Sequence, residues 1–190
     1  AVEAIRQRAV DAVIFTTATA RSRPLLEAME KGAPVVLVNR GVAGMPVDQV
    51  TSDNEGGAAA VAEYFARHGR TRVAVLGGLQ DASTGVERKR GFVRAVRRLG
   101  LELPNEFLVT GEFSHEDGRA AMQALLDRDD PPTAVFCAND LIAFGAADAA
   151  RSAGVRIPDD VWLVGFDDIE MARWSAYDLT TVRQEIPLLA

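Results

Sequence analysis

Val161-Trp162-Leu163-Val164-Gly165-Phe166-Asp167-Asp168 is the stretch whose reading decides the fold. Its apolar run does not alternate with polar residues; Pro158-Asp159-Asp160 precedes it and two carboxylates end it. A run of this kind predicts a strand buried on both faces, as in parallel sheets covered by helices on each side. In open sheets of that class ligands bind outside the carboxyl ends of the strands. Asp167 and Asp168 are therefore the first candidates for function.

The same unit recurs on either side of this strand. Ala12 to Thr17 and Pro34 to Asn39 are apolar runs, and between them Ser22 to Lys31 places Leu25, Leu26 and Met29 at helical spacing, with Gly32 as a stop. A loop at Gly41 to Pro46 and the segment Val50 to Asn54 lead into a helical pattern at Glu55 to Arg67, with Val61, Tyr64 and Phe65 on its apolar side. Strand-like runs follow at Val73 to Leu76, Phe107 to Val109, Ala134 to Cys137 and Trp162 to Phe166. Helical patterns follow at Arg88 to Leu99, Glu116 to Leu126 and Leu141 to Ala153. This alternation predicts an α/β fold with mainly parallel sheets flanked by helices. Two polar, β-branched stretches, Thr51 to Asn54 and Thr180 to Arg183, read as crossings between two lobes. The expected division is 1–51 with 183–190 in one lobe and 52–182 in the other, with a cleft between them.

Composition narrows the function classes. The chain has 190 residues, 48% hydrophobic and 25% charged, enough for one large domain or two small ones around a real core. A net charge of −6 argues against this segment gripping nucleic acid by itself, because phosphate contacts need concentrated Lys and Arg. Cys137 is the lone cysteine and no long apolar span is present, so a soluble protein of a reducing compartment, the cytoplasm, is expected. Ala1 to Arg6 lacks an initiator Met and a helix cap and reads as a helix interior, so the chain reads as a fragment.

Enzyme signatures are missing from the sequence. No phosphate-binding loop of the Gly-x-x-x-x-Gly-Lys-Ser/Thr type occurs, Gly77-Gly78 lacks dinucleotide-fingerprint spacing, and no serine sits in a Gly-x-Ser-x-Gly elbow. His68 and His115 stand alone without metal-ligand spacing, so no metal is expected; His68 reads as a helix-end residue. Cys137 lies inside a strand and reads as an inert core thiol. A phospho-acceptor role for Asp167-Asp168 would want a nearby lysine, and the only two, Lys31 and Lys89, fall on helices. No cofactor is implied, and catalysis has no visible machinery.

The polar residues at the strand ends have two readings each. Asn39-Arg40, Asn139-Asp140 and Asp167-Asp168 each follow a strand. Such residues either cap the next helix or meet a ligand. Capping suits Asp140 and Asp168 better; ligand contact suits Asn139 and Asp167, each one residue nearer its strand. Arg88 shares the helical stripe of Phe92, Val96 and Leu99, at the positive end of its helix, where an arginine needs an acceptor-rich partner. That partner is a polar ligand or a surface carboxylate such as Glu87. Arg90, Arg94, Arg97 and Arg98 lie on the other, solvated face.

Several of these stretches, in this order, resemble one family. Asp53-Asn54-Glu55-Gly56-Gly57, Gly91-Phe92, Thr133 to Asp140, Ala143-Phe144-Gly145-Ala146, Ile157 to Val161, Val164 to Asp168 and Leu179 to Gln184 are similar to the effector-binding core of lactose-repressor (LacI/GalR) transcription regulators. The resemblance implies a two-lobed fold like that of periplasmic sugar-binding proteins. It also implies a small effector in the cleft, a carbohydrate, and operator DNA read by a helix-turn-helix domain outside this chain. It further implies a homodimer without membrane contact. Carried over residue by residue, Arg88, Asn139 and Asp167 match polar ligand contacts of the larger lobe, and Phe113 matches the aromatic that covers one ligand face. Asn39, Arg40 and Gln184 match contacts of the smaller lobe and its returning segment, and Thr16 a side contact. Trp174 is similar in position to the dimer-contact segment, with core packing as the competing reading. Asn39 stands where ribose-type binders carry Asp, and Tyr177-Asp178 stands where many relatives carry Pro. On this footing, loss of Arg88 or Asp167 is expected to remove the effector response with little loss of folding. An exported solute-binding protein is the alternative of a different class.

Overall fold

The computed structural model describes residues 10–189, so the helix interior expected at Ala1 to Arg6 lies outside them. The chain divides into two units: Ala1–Ser52 with Asp81–Thr84 and Glu185–Ala190, and Asp53–Gln80 with Gly85–Gln184.

In the smaller unit the run Val35–Val38 forms strand β2, which pairs in parallel with β1 (Val13–Phe15) and β3 (Asp48–Val50). Helix α1 (Arg23–Glu30) starts with Pro in its first turn and is followed by Gly32 at a positive φ of 68°, a conformation that glycine adopts at no steric cost. It buries Leu25 and Ala28 against Val35, Leu37 and Val42. Leu26, expected on that stripe, is 40% exposed. β3 is missing from the sequence reading because its three residues are all exposed and carry no apolar signal.

The larger unit holds five parallel strands in the order β5-β4-β6-β7-β8. They are β4 (Val73–Gly77), β5 (Leu108–Thr110), β6 (Ala134–Cys137), β7 (Trp162–Asp167) and β8 (Thr180–Arg183). The α/β expectation of parallel strands flanked by helices holds. Alternate residues of the central strands serve opposite faces. Val73, Val75, Ala134, Phe136, Val164 and Phe166 pack with Phe65 of α2 (Asn54–Arg67) and Phe92 of α3 (Ser83–Leu99). Ala74, Leu76, Val135, Cys137 and Leu163 pack with Met122 of α4 (His115–Leu126) and Ile142 of α5 (Asp140–Ser152). Both faces of β6 and β7 are thus covered, which is why their sequence reads as continuous apolar runs.

Two boundaries differ from those read in the sequence. α3 begins at Ser83, so Arg88 lies in its second turn and not at its positive end. Thr180 to Arg183 is a strand of the larger sheet, paired from Val164↔Thr180 to Asp167↔Arg183, and the division falls after Gln184.

α4 and α5 cross in near backbone contact. A Cβ built on Gly145 would stand 1.9 Å from the His115 carbonyl oxygen, and one on Gly118 would stand 2.1 Å from the Ile142 carbonyl oxygen. Only glycine permits that approach. Among the described residues no helix is long and apolar enough to cross a membrane.

Candidate functional site

The carboxyl ends of β6 and β7 in the larger unit meet around one buried cation. Arg88 is 2% exposed. Its Nη1 pairs with Asp167 Oδ1 at 2.9 Å and donates to the Ala138 carbonyl at 2.7 Å, and its Nε donates to Asn54 Oδ1 at 2.9 Å. The guanidinium carbon lies 3.8 Å from the centroid of the Phe166 ring, within cation–π range. The acceptor-rich partner that its place on a buried stripe demands is therefore built into the fold, with Asp167 as its carboxylate.

Asp167 remains turned partly outward. Its side chain is 26% exposed, and both Arg88 and Gln184, whose Nε2 donates at 2.7 Å, contact the same atom, Oδ1. Oδ2 is left as an acceptor. Burial raises the carboxyl pKa, against the opposing pull of Arg88 and the Gln184 hydrogen bond. The backbone is held at φ values of 116° at Asp167 and 54° at Asp168, left-handed positions that cost on the order of 1–3 kcal/mol each for non-glycine residues and concentrate at ligand sites.

Asn139 takes the part expected of Asp140. Its Oδ1 accepts from the Ile142 amide at 2.9 Å and caps α5, which leaves Nδ2 as its donor group. Asp140 is not the cap. It is 1% exposed, and its two oxygens accept from the Ile169 amide at 2.9 Å and the Thr181 hydroxyl at 2.5 Å. Burial, partly offset by those two hydrogen bonds, pushes its pKa up to about 6. Asp168, also expected as a cap, instead pairs with Arg183 at 2.6 Å and Arg173 at 3.0 Å, and the Arg183 hydrogen bond in particular holds its carboxyl below the usual range.

The sign of the Asp140 shift gives a testable pH dependence. A carboxyl whose pKa is raised by folding favours the protonated native state, so its stabilising contribution is complete below its ordinary value and is lost as pH rises through about 6. Wild type is therefore expected to gain about 1 kcal/mol over Asp140→Asn between pH 7.5 and pH 5. Urea denaturation of both proteins across that range checks it; a gap that stays constant refutes it.

Phe113 follows β5 and packs against the α4–α5 side of the sheet. Its ring occupies the place of a side chain at Gly78, where a Cβ would stand 2.1 Å from it. That puts an aromatic beside the end of β4. Gln184, read with the smaller lobe, lies in the larger unit because β8 carries it to Asp167.

Thr16, Asn39 and Arg40 lie in the smaller unit at the ends of β1 and β2. Thr16 is exposed. Asn39 has a φ of 71°, its amide donates to the Val50 carbonyl at 2.9 Å, and its Oδ1 is buried with no hydrogen-bond partner among the described residues. Arg40 Nη1 reaches the Thr17 carbonyl at 3.4 Å.

Trp174 is 52% exposed, which removes the core-packing reading. The flanking segment is tethered to α5. Arg151 Nη2 donates to the Ala176 carbonyl at 2.6 Å, while Asp148 takes Arg151 at 2.6 Å and His115 at 2.9 Å. His68 caps the end of α2, as expected, and Cys137 is fully buried with a raised pKa. Among the described residues no group of three or more His, Cys, Asp or Glu is placed to hold a metal ion.

Asn54 is the participant that sequence reasoning passed over. It is 2% exposed, and besides accepting from Arg88 it donates to Glu87 Oε2 at 2.8 Å. The available signal is the pair Asp53-Asn54: Asp53 already caps α2 through the Gly56 amide, so the asparagine behind it has another task.

Residues 62–190 match the family described as periplasmic binding protein-like domain. The chain is 36% identical over 165 residues to the HTH-type transcriptional repressor PurR of Escherichia coli, covering 85% of this chain and 48% of that protein. It is 34% identical over 157 residues to a probable HTH-type transcriptional repressor, ExuR, of Bacillus subtilis, covering 83% and 47%. The chain thus spans about half the length of the curated relatives it matches. Among solved structures, the transcriptional regulator CelR–cellobiose complex superposes with a TM-score of 0.90 at 34% identity, over 99% of this chain and 58% of that one. A regulatory protein of the LacI family from Chloroflexus aggregans gives 0.89 at 29% identity, over 98% and 67%. By the family match and by these relatives, the chain belongs to the periplasmic binding protein-like domain family, and it is similar to the corresponding part of LacI-family regulators.

Proposed function

We propose that this chain senses a small uncharged polyhydroxy compound, a sugar in the first instance, on behalf of a DNA-binding regulator. The observation that carries the reading is the Arg88–Asp167 pair. The buried cation of the site is already neutralised by its own carboxylate, and Asp167 Oδ2 and Asn139 Nδ2, with the Phe113 ring beside the end of β4, are the groups proposed to meet a ligand. Those groups supply an acceptor, a donor and an apolar face, the set that vicinal hydroxyls and a sugar ring require. Thr16, Asn39, Arg40 and Gln184 are proposed as further contacts, and the unpartnered Asn39 Oδ1 supports that role because a hydroxyl donor would satisfy it.

A ligand that prefers one conformation of the sensor shifts its population, with a coupling to operator affinity typically of about 1 to 3 kcal/mol. Operator DNA would be read by a segment outside these residues, since a net charge of −6 does not suit this one to phosphate contact. The regulator is read as a cytoplasmic homodimer in which a second copy covers the exposed Trp174, and no catalytic step is assigned to it. Relatives that are repressors support this over a transport role.

A thermal-shift screen tests the reading. Neutral pentoses, hexoses and disaccharides, cellobiose among them, are set against uronates, phosphosugars and purines. A binder present at 100 times its Kd should stabilise the fold by about 2.7 kcal/mol. A response confined to charged sugars or purines would sink the neutral-ligand reading.

A further inference from the structure

We propose that Asp140 is a positioning residue: by gripping the Ile169 amide with one carboxylate oxygen and the Thr181 hydroxyl with the other, it holds the Asp167–Asp168 turn and strand β8, and with them Asp167 and Gln184, in the geometry of the binding site. The inference rests on the proposed ligand-binding role of that site, and it concerns a residue that is too deeply buried to touch the ligand itself.

Three elements converge on this carboxyl. Asp140 is the first residue of α5. Ile169 follows the two residues held at positive φ, and Thr181 stands in β8 opposite Gly165 of β7. A turn in left-handed backbone does not keep its shape unaided; the surrounding structure must over-determine it. Here the fixing contact is the Ile169 amide, clamped immediately after the strained pair. The second oxygen secures β8 three residues before Gln184, whose amide completes the hold on Asp167 Oδ1. Without Asp140, both the turn and the strand beside it lose their common anchor.

The electrostatic surroundings agree. Cys137 of β6 is a neutral thiol, Asp167 and Asp168 at the end of β7 are like charges, and Arg88 of α3 and the Arg173 and Arg183 side chains are engaged with those two carboxylates. Among the described residues no cationic side chain pairs with Asp140, so its charge is tolerated for the two hydrogen bonds it accepts. Because the Thr181 hydroxyl can accept as well as donate, an amide at position 140 can keep both contacts. Alanine can keep neither.

Amide hydrogen exchange and NMR of the isotopically labelled 190-residue chain test this without a ligand. Asp140→Ala should speed exchange at Ile169 by about tenfold to a hundredfold, the loss expected for a charge-assisted hydrogen bond, and shift the Gln184 side-chain amide resonances. Asp140→Asn should leave both near wild type. Thr181→Val, which keeps the Ile169 contact, should move the Asp140 titration up from its midpoint of about 6, because the lost hydroxyl favours the charged form. It also serves where the alanine variant does not fold. Unchanged Ile169 exchange and Gln184 resonances in Asp140→Ala, or an unshifted titration in Thr181→Val, overturn the proposal. If the clamp passes and no sugar in the screen binds wild type, the ligand reading fails and the positioning role stands.

Discussion

Arg88→Ala is expected to lose about 3–5 kcal/mol of folding stability together with all effector response, because it strands a carboxylate in an interior that was built around a cation. The guanidinium is 2% exposed and engages Asp167, the Ala138 carbonyl, Asn54 and the Phe166 ring at once. Removing it takes a donor from three acceptors, of which Asp167 Oδ1 keeps the uncharged Gln184 amide in place of a cation. A marginally stable domain has about 5–15 kcal/mol in all, so this single change consumes a large share. Urea denaturation gives the stability loss directly. The double variant Arg88→Met with Asp167→Asn separates fold from function, since replacing both members of a buried pair by uncharged groups of similar size is often close to neutral. It should recover most of the stability and none of the ligand response. A stable Arg88→Ala protein would show that the pair contributes little to the fold.

This corrects the expectation, drawn from the residues and the family resemblance, that Arg88 could be removed at little structural cost. Of the stripe Arg88, Phe92, Val96 and Leu99, the first three lie inward as the spacing requires, while Leu99, the last residue of α3, is 37% exposed. What periodicity does not show is where a second element will place a carboxylate. Asp167 is 79 positions later, and only the parallel pairing of β6 with β7 brings it to α3. The two-faced burial of β6 and β7 was legible for the opposite reason, since every residue of such a strand must be apolar whatever its neighbours are. β3 was not, because an exposed edge strand of three residues is specified by its pairing with β2 and not by its own side chains. The division of labour between Asn139 and Asp140 was half legible. One of two adjacent polar residues had to cap the helix, and backbone direction at the strand end decided which.

Gly145→Ala should be the other severe change, at or above the 1–3 kcal/mol typical of overpacking, about 3 kcal/mol or more. The added methyl would meet the His115 carbonyl oxygen at 1.9 Å and the Arg119 amide nitrogen at 2.7 Å, both backbone atoms at the start of α4. A flexible side chain could swing away; a helix backbone cannot. The helices must separate, and with them the contacts of Met122, Leu125 and Ile142 in the core on that face. Thermal and urea unfolding check the magnitude, and a variant within 1 kcal/mol of wild type would mean that the α4–α5 crossing yields easily.

The closeness of that crossing gives α5 a mechanical character. It is 13 residues long, a strut of about 20 Å. Asn139 and Asp140 sit at its leading end among the groups proposed to meet and frame the ligand. Arg151, on its last turn, holds the Ala176 carbonyl beside Trp174. Locked to α4 by backbone contact through its middle, the strut has little room to bend or slide alone. A displacement imposed at the ligand end would arrive at the tryptophan end as the motion of a rigid bar, at nearly full amplitude.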